Sequence, residues 1–317
     1  MSLAFVFPGQ GSQSVGMLAA LAAAEPVVRE TFEEASDVLG YDLWKLCQEG
    51  PDADLGRTEC TQPAMLAAGV ATWRVWRAHG GPRPAVMAGH SLGEYSALVC
   101  SNAIDFATAV GLVRYRGQLM QQAVPPGEGA MAAVLGLDDA QVIAACAEAE
   151  QGEVVEAVNF NAPGQVVIAG NTAAVGRAIE LARARGAKRA VTLPVSVPSH
   201  SRLMIGASER LAERLAEVDV RMPDVEAVYT VDVRTHESPD GIRRALKQQL
   251  YRPVRWSDTV RAMLSGGAKI FVECGPGKVL TALNRRIERR ADLAMLAVED
   301  PDGLTAALAA CQEQQDA

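Results

Sequence analysis

Apolar and polar positions along the chain fall into two alternating rhythms. Residues 4–7 form a short continuous apolar run, as expected of a strand buried on both faces, and lead into the turn Pro8-Gly9-Gln10-Gly11-Ser12-Gln13. Apolar positions then recur at helical spacing over residues 27–39, where Gly40 stops them. Further apolar runs at 85–88, 227–231 and 270–272 alternate with helical patterns over 104–124 and 201–218. Strands separated by helices predict an α/β fold with a mostly parallel, helix-covered sheet.

Between Pro125-Pro126-Gly127 and Pro194 the rhythm changes. It predicts a strand at 130–135, a helix at 139–149, strands at 154–159 and 165–169, a helix at 172–184 and a strand at 190–193. A β-α-β-β-α-β order within about 65 residues matches the ferredoxin-like unit, whose ends lie close enough for insertion into a host domain. The expected organisation is a large α/β-hydrolase-like domain in two pieces, residues 1–126 and 196–317, carrying an inserted ferredoxin-like domain, residues 127–195. The tail after Cys311 is expected to fray.

Composition changes this picture mainly by exclusion. At 49% hydrophobic and 21% charged, the 317 residues are ordinary for a globular protein, which excludes disordered, collagen-like and coiled-coil chains. The longest apolar stretches, 17–24 and 65–73, fall short of the ~18 residues needed to span a bilayer, and no basic region precedes the first apolar run; neither membrane nor secretory routing is expected. A formal net charge of −8 argues against non-specific nucleic-acid binding. The six cysteines (Cys47, Cys60, Cys100, Cys146, Cys274 and Cys311) show no C-x-x-C spacing and no nearby histidines. They are expected to be reduced thiols of a cytoplasmic protein, with no zinc site or redox pair.

Candidate chemistry centres on Gly89-His90-Ser91-Leu92-Gly93, a G-x-S-x-G sequence between an apolar run and a helix-like run, as a nucleophile elbow requires. The pattern alone recurs by chance in roughly one chain of this length in ten, so a usable base must decide. The chain has four histidines. His79 precedes Gly80-Gly81 at a helix end, His236 lies in a polar loop, and His90 diverges from its neighbour Ser91 on the elbow. His200 remains, on the loop Val195-Ser196-Val197-Pro198-Ser199 ahead of a helix, where catalytic groups are common. No acidic third member is evident; Asp224 and Asp232 both follow the histidine, unlike the acid of an α/β-hydrolase. Gly9-Gln10-Gly11 lacks the third glycine of a dinucleotide fingerprint, and Gly275-Pro276-Gly277-Lys278 lacks the P-loop pattern. The first reads better as a turn whose N–H groups, with the one after the nucleophile, could hold an oxyanion.

Several segments in order carry a family resemblance: Phe7-Pro8-Gly9-Gln10-Gly11-Ser12-Gln13, Gly89 to Tyr95, Tyr115-Arg116-Gly117, Asn159 to Gly170, Val197-Pro198-Ser199-His200, Gln249-Leu250-Tyr251 with Pro253-Val254, and Glu273 to Leu280. From residue 4 to about residue 297 the chain resembles the bacterial malonyl-CoA:acyl carrier protein transacylases, with polyketide acyltransferase domains as more distant relatives. The resemblance implies a malonyl ester on Ser91, with His200 as base and then acid, and ping-pong transfer from malonyl-CoA to the pantetheine thiol of acyl carrier protein. It implies a backbone carbonyl near Gln249 orienting the histidine, and an oxyanion hole from the N–H groups of Gln10 and Leu92. Arg116 would bind the malonyl carboxylate with two parallel hydrogen bonds. Periodicity alone leaves Arg114 and Arg116 both flanking an apolar stripe, with solvation as the plain alternative. Gln249 and Asn161 are further expected substrate contacts. No metal or redox cofactor and a monomeric enzyme are implied, with Leu92 and Val197-Pro198-Ser199 resembling malonyl-selective members. An acidic carrier would dock on a basic patch, for which Lys188, Arg189, Arg285, Arg286, Arg289 and Arg290 are candidates against the reading of ordinary solvated helix ends. The competing readings are a malonyl transferase of a malonate decarboxylase or polyketide pathway, a serine esterase or thioesterase, and an inactive carrier-binding module.

Overall fold

The computed structural model describes residues 2–195 and 197–313. Nine strands lie among the described residues: β1 (Ser2–Phe7), β2 (Val86–Gly89), β3 (Gly129–Leu135), β4 (Val155–Ala162), β5 (Gln165–Asn171), β6 (Arg189–Thr192), β7 (Glu226–Val228), β8 (Ala268–Cys274) and β9 (Ala294–Val298). Five form a parallel sheet in the order β7-β2-β1-β8-β9, and four form an antiparallel sheet in the order β4-β5-β3-β6. The fold is therefore α/β with a parallel sheet and a second, antiparallel one.

β1 is central, and Ala4, Phe5, Val6 and Phe7 are all fully buried, which explains its unbroken apolar run: helices cover both faces. Helix limits follow local chemistry. Gly40 ends the helix Pro26–Leu39 in a left-handed conformation, φ 75°. Asp105 caps Phe106–Gln122 by accepting from the Thr108 N–H at 3.1 Å, and Asp138 and Gln141 form a reciprocal capping box on Asp139–Ala149.

The sequence reading departs from the structure at several ends. The run 227–231 is a strand only to Val228, because Tyr229 turns back to pair with Arg234 and Thr230 is drawn towards a buried carboxylate described below. The helix expected over 201–218 begins as a 3-10 turn, Arg202–Met204, before Ile205–Glu217. β9 and the helices Thr58–Ala78, Pro239–Gln249, Trp256–Ser265 and Val279–Ile287 were not anticipated. The helix Pro301–Glu313 continues past Cys311, and residues 314–317 of the expected tail lie outside the described residues.

Two relationships position the site. Phe7 pairs with Gly89, so the loop after β1 and the turn after β2 leave the parallel sheet side by side at the carboxyl ends of its strands. The antiparallel sheet is also tied to the segment between the helices Pro239–Gln249 and Trp256–Ser265: Phe160 donates to the Val254 carbonyl at 2.9 Å, and Val254 to that of Val158 at 2.8 Å.

Candidate active site

β2 ends at Gly89 and the helix Gly93–Cys100 starts four residues later, so the chain must reverse at Ser91, which sits at φ 53°. A left-handed serine is strained, and the flanking glycines make it possible. A Cβ on Gly89 would strike the backbone of Gly93 and Glu94, and one on Gly93 would strike the Phe7 carbonyl. The G-x-S-x-G spacing is thus a steric requirement of the turn. The β1 loop closes on it from the side, where a Cβ on Gly9 would meet the His90 carbonyl.

His200 is also left-handed, at φ 65°, and only 3% exposed. Its N–H donates to the Leu250 carbonyl at 2.9 Å, and its Nδ1 lies 2.7 Å from the Gln249 carbonyl oxygen. A carbonyl can only accept, so Nδ1 carries the proton and Nε2 keeps a lone pair. Burial, then the nearby Arg116 charge, push the imidazole pKa down to about 3, leaving it neutral at physiological pH. The group that orients the His200 imidazole is a backbone carbonyl, so its tautomer is set without the acidic third member that the sequence lacks.

Arg116 lies on the helix Phe106–Gln122 and is 1% exposed. Its Nη2 donates to Gln249 Oε1 at 2.8 Å and to Ser91 Oγ at 3.1 Å, and its guanidinium lies over the Tyr95 ring at 5.5 Å. Nε has no partner among the described residues. A buried cation with donors to spare is suited to a small carboxylate. Arg114, two positions earlier, donates instead to the Leu39 carbonyl and packs on Tyr41, a structural role that its half-buried state reflects.

Gln249, 1% exposed, gathers these groups. Its Nε2 donates to the Ser91 carbonyl at 2.8 Å and to Glu94 Oε2 at 2.6 Å. Glu94 in turn accepts at Oε1 from the Thr230 N–H and hydroxyl at 2.8 and 2.7 Å. Burial raises the Glu94 pKa to about 7 against the pull of those donors. Glu94 and Thr230 escaped the sequence reading, although a carboxylate at the head of the otherwise uncharged segment Glu94 to Cys100 was a visible signal.

Gln10, Ser91, Leu92, Arg116 and His200 all line one cavity of about 610 Å³. Among the described residues neither the Gln10 nor the Leu92 backbone N–H has a partner, as donors reserved for an oxyanion would not. Met131 of β3, Asn159 of β4 and Leu193 close the cavity from the antiparallel sheet's side, and Asn159 Oδ1 is unpartnered. Asn161 does not line it; its Oδ1 lies 2.9 Å from Nε2 of His90, which does. Gln249 likewise stands behind Arg116 and outside the lining. Lys188, Arg189, Arg285, Arg286, Arg289 and Arg290 are exposed, with Arg290 paired to Asp292 and Arg285 donating to the Met295 carbonyl. No cluster of three or more His, Cys, Asp or Glu among the described residues could hold a metal ion, and no described helix is long and apolar enough to cross a membrane.

Residues 4–300 match the model of the acyl transferase domain. The chain belongs to the acyl transferase family. Among similar members, the malonyl CoA-acyl carrier protein transacylase of Escherichia coli K12 is 57% identical over 305 residues, 96% of this chain and 98% of that one. The solved acyl carrier protein S-malonyltransferase of Vibrio cholerae is 56% identical with a TM-score of 0.93, covering 96% of this chain and 99% of the other. A malonyl-transacylase solved in complex with a type II PKS acyl-carrier protein is 54% identical with a TM-score of 0.96, covering 98% and 100%. The strained serine and histidine, Arg116 and the two sheets thus lie within the stretch this chain shares with acyl transferases.

Proposed function

We propose that this chain is a malonyl-CoA:acyl carrier protein transacylase that carries the malonyl group on Ser91. The observation behind this reading is that Arg116, buried and only partly satisfied, shares one cavity with the strained Ser91 and neutral His200. An esterase or thioesterase acting on uncharged acyl groups would have no use for such a cation.

Ser91 Oγ attacks the thioester carbonyl while its proton passes to His200 Nε2; the C–S bond then breaks and the CoA sulfur leaves with that proton. The pantetheine thiol next gives its proton to His200 and attacks the ester; the C–O bond breaks and Ser91 recovers the proton. The N–H groups of Gln10 and Leu92 hold the oxyanion in both halves. The chemistry runs on side chains, backbone and the CoA thioester.

Strand order supports the finer architecture. In β4-β5-β3-β6 the helices Asp139–Ala149 and Thr172–Ala184 cross between strands in ferredoxin-like order, favouring residues 127–195 as the inserted domain. The parallel sheet with its elbow favours the hydrolase-like reading of residues 1–126 and 196–317.

Intact-mass spectrometry of wild type and Ser91→Ala after mixing with malonyl-CoA, followed by a chase with pantetheinylated carrier protein, tests the reading. A malonyl adduct on wild type alone, discharged onto carrier, is expected. Loss of the adduct to water without carrier would make the protein a hydrolase. Because one similar enzyme was solved with a type II PKS carrier, a polyketide carrier is the second acceptor to compare.

A further inference from the structure

We propose that Glu94 is a positioning residue whose carboxylate locks Gln249, and through it His200 and Arg116, in working geometry. The inference rests on the malonyl-transfer reading above.

All three hydrogen-bond partners of Glu94, the Thr230 N–H, the Thr230 hydroxyl and Gln249 Nε2, act as donors to it. A carboxylate satisfies all of them; a neutral amide of the same shape would bring an N–H of its own against one. Glu94 is 2% exposed, so water cannot make up a lost contact. The Gln249 side chain therefore lies between an anion and a cation: its nitrogen faces Glu94 and its oxygen faces Arg116. That polarity fixes which way the amide points. Without the anion, the amide can turn over and set an N–H against the guanidinium.

The same residue's backbone carbonyl holds His200 Nδ1, and its Nε2 also holds the Ser91 carbonyl on the strained turn. Pinning the Gln249 side chain at both ends fixes the main chain on which the base depends. Thr230, on the turn after β7, anchors the carboxylate from the far side, so the β7 end and the elbow helix are joined across the nucleophile.

The test is a double-mutant cycle of Glu94→Gln with Gln249→Ala, which keeps the backbone carbonyl, measured as malonyl transfer with both substrates varied. Glu94→Gln alone is expected to lower kcat about 10- to 100-fold while leaving the KM for carrier protein within about twofold. In the Gln249→Ala background the same change is expected to cost less than about twofold. An unchanged kcat, or an equal loss in both backgrounds, would overturn the proposal. If Glu94→Gln does not fold, Thr230→Val replaces it, with a loss of several-fold that must again vanish beside Gln249→Ala. A wild-type protein that transfers no malonyl group would overturn the functional reading itself, an outcome distinct from a transferring wild type that is indifferent to Glu94.

Discussion

Arg116 Nη2 stands 3.1 Å from Ser91 Oγ and donates to it. In this arrangement the proposed carboxylate-binding group and the proposed nucleophile are hydrogen-bonded to each other. On the proposed reading, a carboxylate arriving at the guanidinium would compete for those donors and free Oγ for His200, which lines the same cavity. Arg116→Ala is therefore expected to lower kcat/KM for malonyl-CoA by about 10- to 150-fold and to narrow the preference over acetyl-CoA, which has no carboxylate. Arg116→Lys should not restore it, since an ammonium cannot make the planar two-bond contact. Steady-state transfer with both thioesters checks this; full malonyl preference in Arg116→Ala would remove the guanidinium's assigned role.

The elbow glycines predict a contrast within one residue type. Gly89→Ala and Gly93→Ala force a Cβ into backbone and are expected to destabilise by about 3 kcal/mol or more. Gly111, exposed on the helix Phe106–Gln122 with open space around its Cβ position, should accept alanine with a gain of about 0.4–1 kcal/mol. Urea denaturation of the three variants measures both effects.

Activity should fall as pH drops through about 7, and Glu94, not His200, should be the group responsible. His200 is held to about 3 and stays neutral, whereas Glu94, facing Gln249, Thr230, Arg116, Tyr95 and Tyr229, is raised to about 7 and takes up a proton on mild acidification. Protonation removes an acceptor from Gln249 or Thr230. The acid limb of kcat/KM is expected to flatten in Glu94→Gln; an unchanged limb there would assign it to another group.

Stability carries a separate signature of His200. Its folded pKa of about 3 lies below the ordinary 6.5, so between those values the unfolded chain binds a proton that the folded protein refuses. Stability from this group is complete above 6.5 and is lost progressively as pH falls towards 3. The unfolding free energy of His200→Asn should accordingly drop less than that of wild type between pH 7 and pH 5.

Lys188 and Arg189 are exposed and have no ion pair among the described residues, unlike Arg290. Reversing both charges is expected to raise the KM for an acidic carrier protein several-fold, more at low salt, and to leave that for malonyl-CoA unchanged. Equal changes in both constants would count against docking there.

How legible the molecule was in its sequence depended on the range of each interaction. The helices 139–149 and 172–184 were read to the residue, because their starts are marked locally: Asp138 and Gln141 form a capping box on the first, and Asn171 stands in extended conformation just before the second. Ser91 was legible because its strain demands nearby glycines. His200 was reached by elimination, but its partner, the Gln249 carbonyl, came only through the family resemblance and not from the residues themselves: every residue has a carbonyl, and only folding brings this one within 2.7 Å. Arg114 and Arg116 flank the same stripe, and burial separates them only through contacts with residues 39, 91 and 249. β9 was missed although Ala294 to Val298 is a continuous apolar run: so short a run does not by itself separate a strand from a buried helical turn, and this one is settled by pairing with β8.

The backbone hydrogen bonds joining β4 to Val254 bear on how two large substrates use one serine. Drawing β4 away from Val254 would break two main-chain hydrogen bonds beside a core containing Ala162, Val254 and Trp256, which opposes separation of the antiparallel sheet from this segment. On the ping-pong reading proposed above, CoA and the carrier's pantetheine arm would take turns at the one cavity that Ser91 lines, beside a strand held by main-chain bonds.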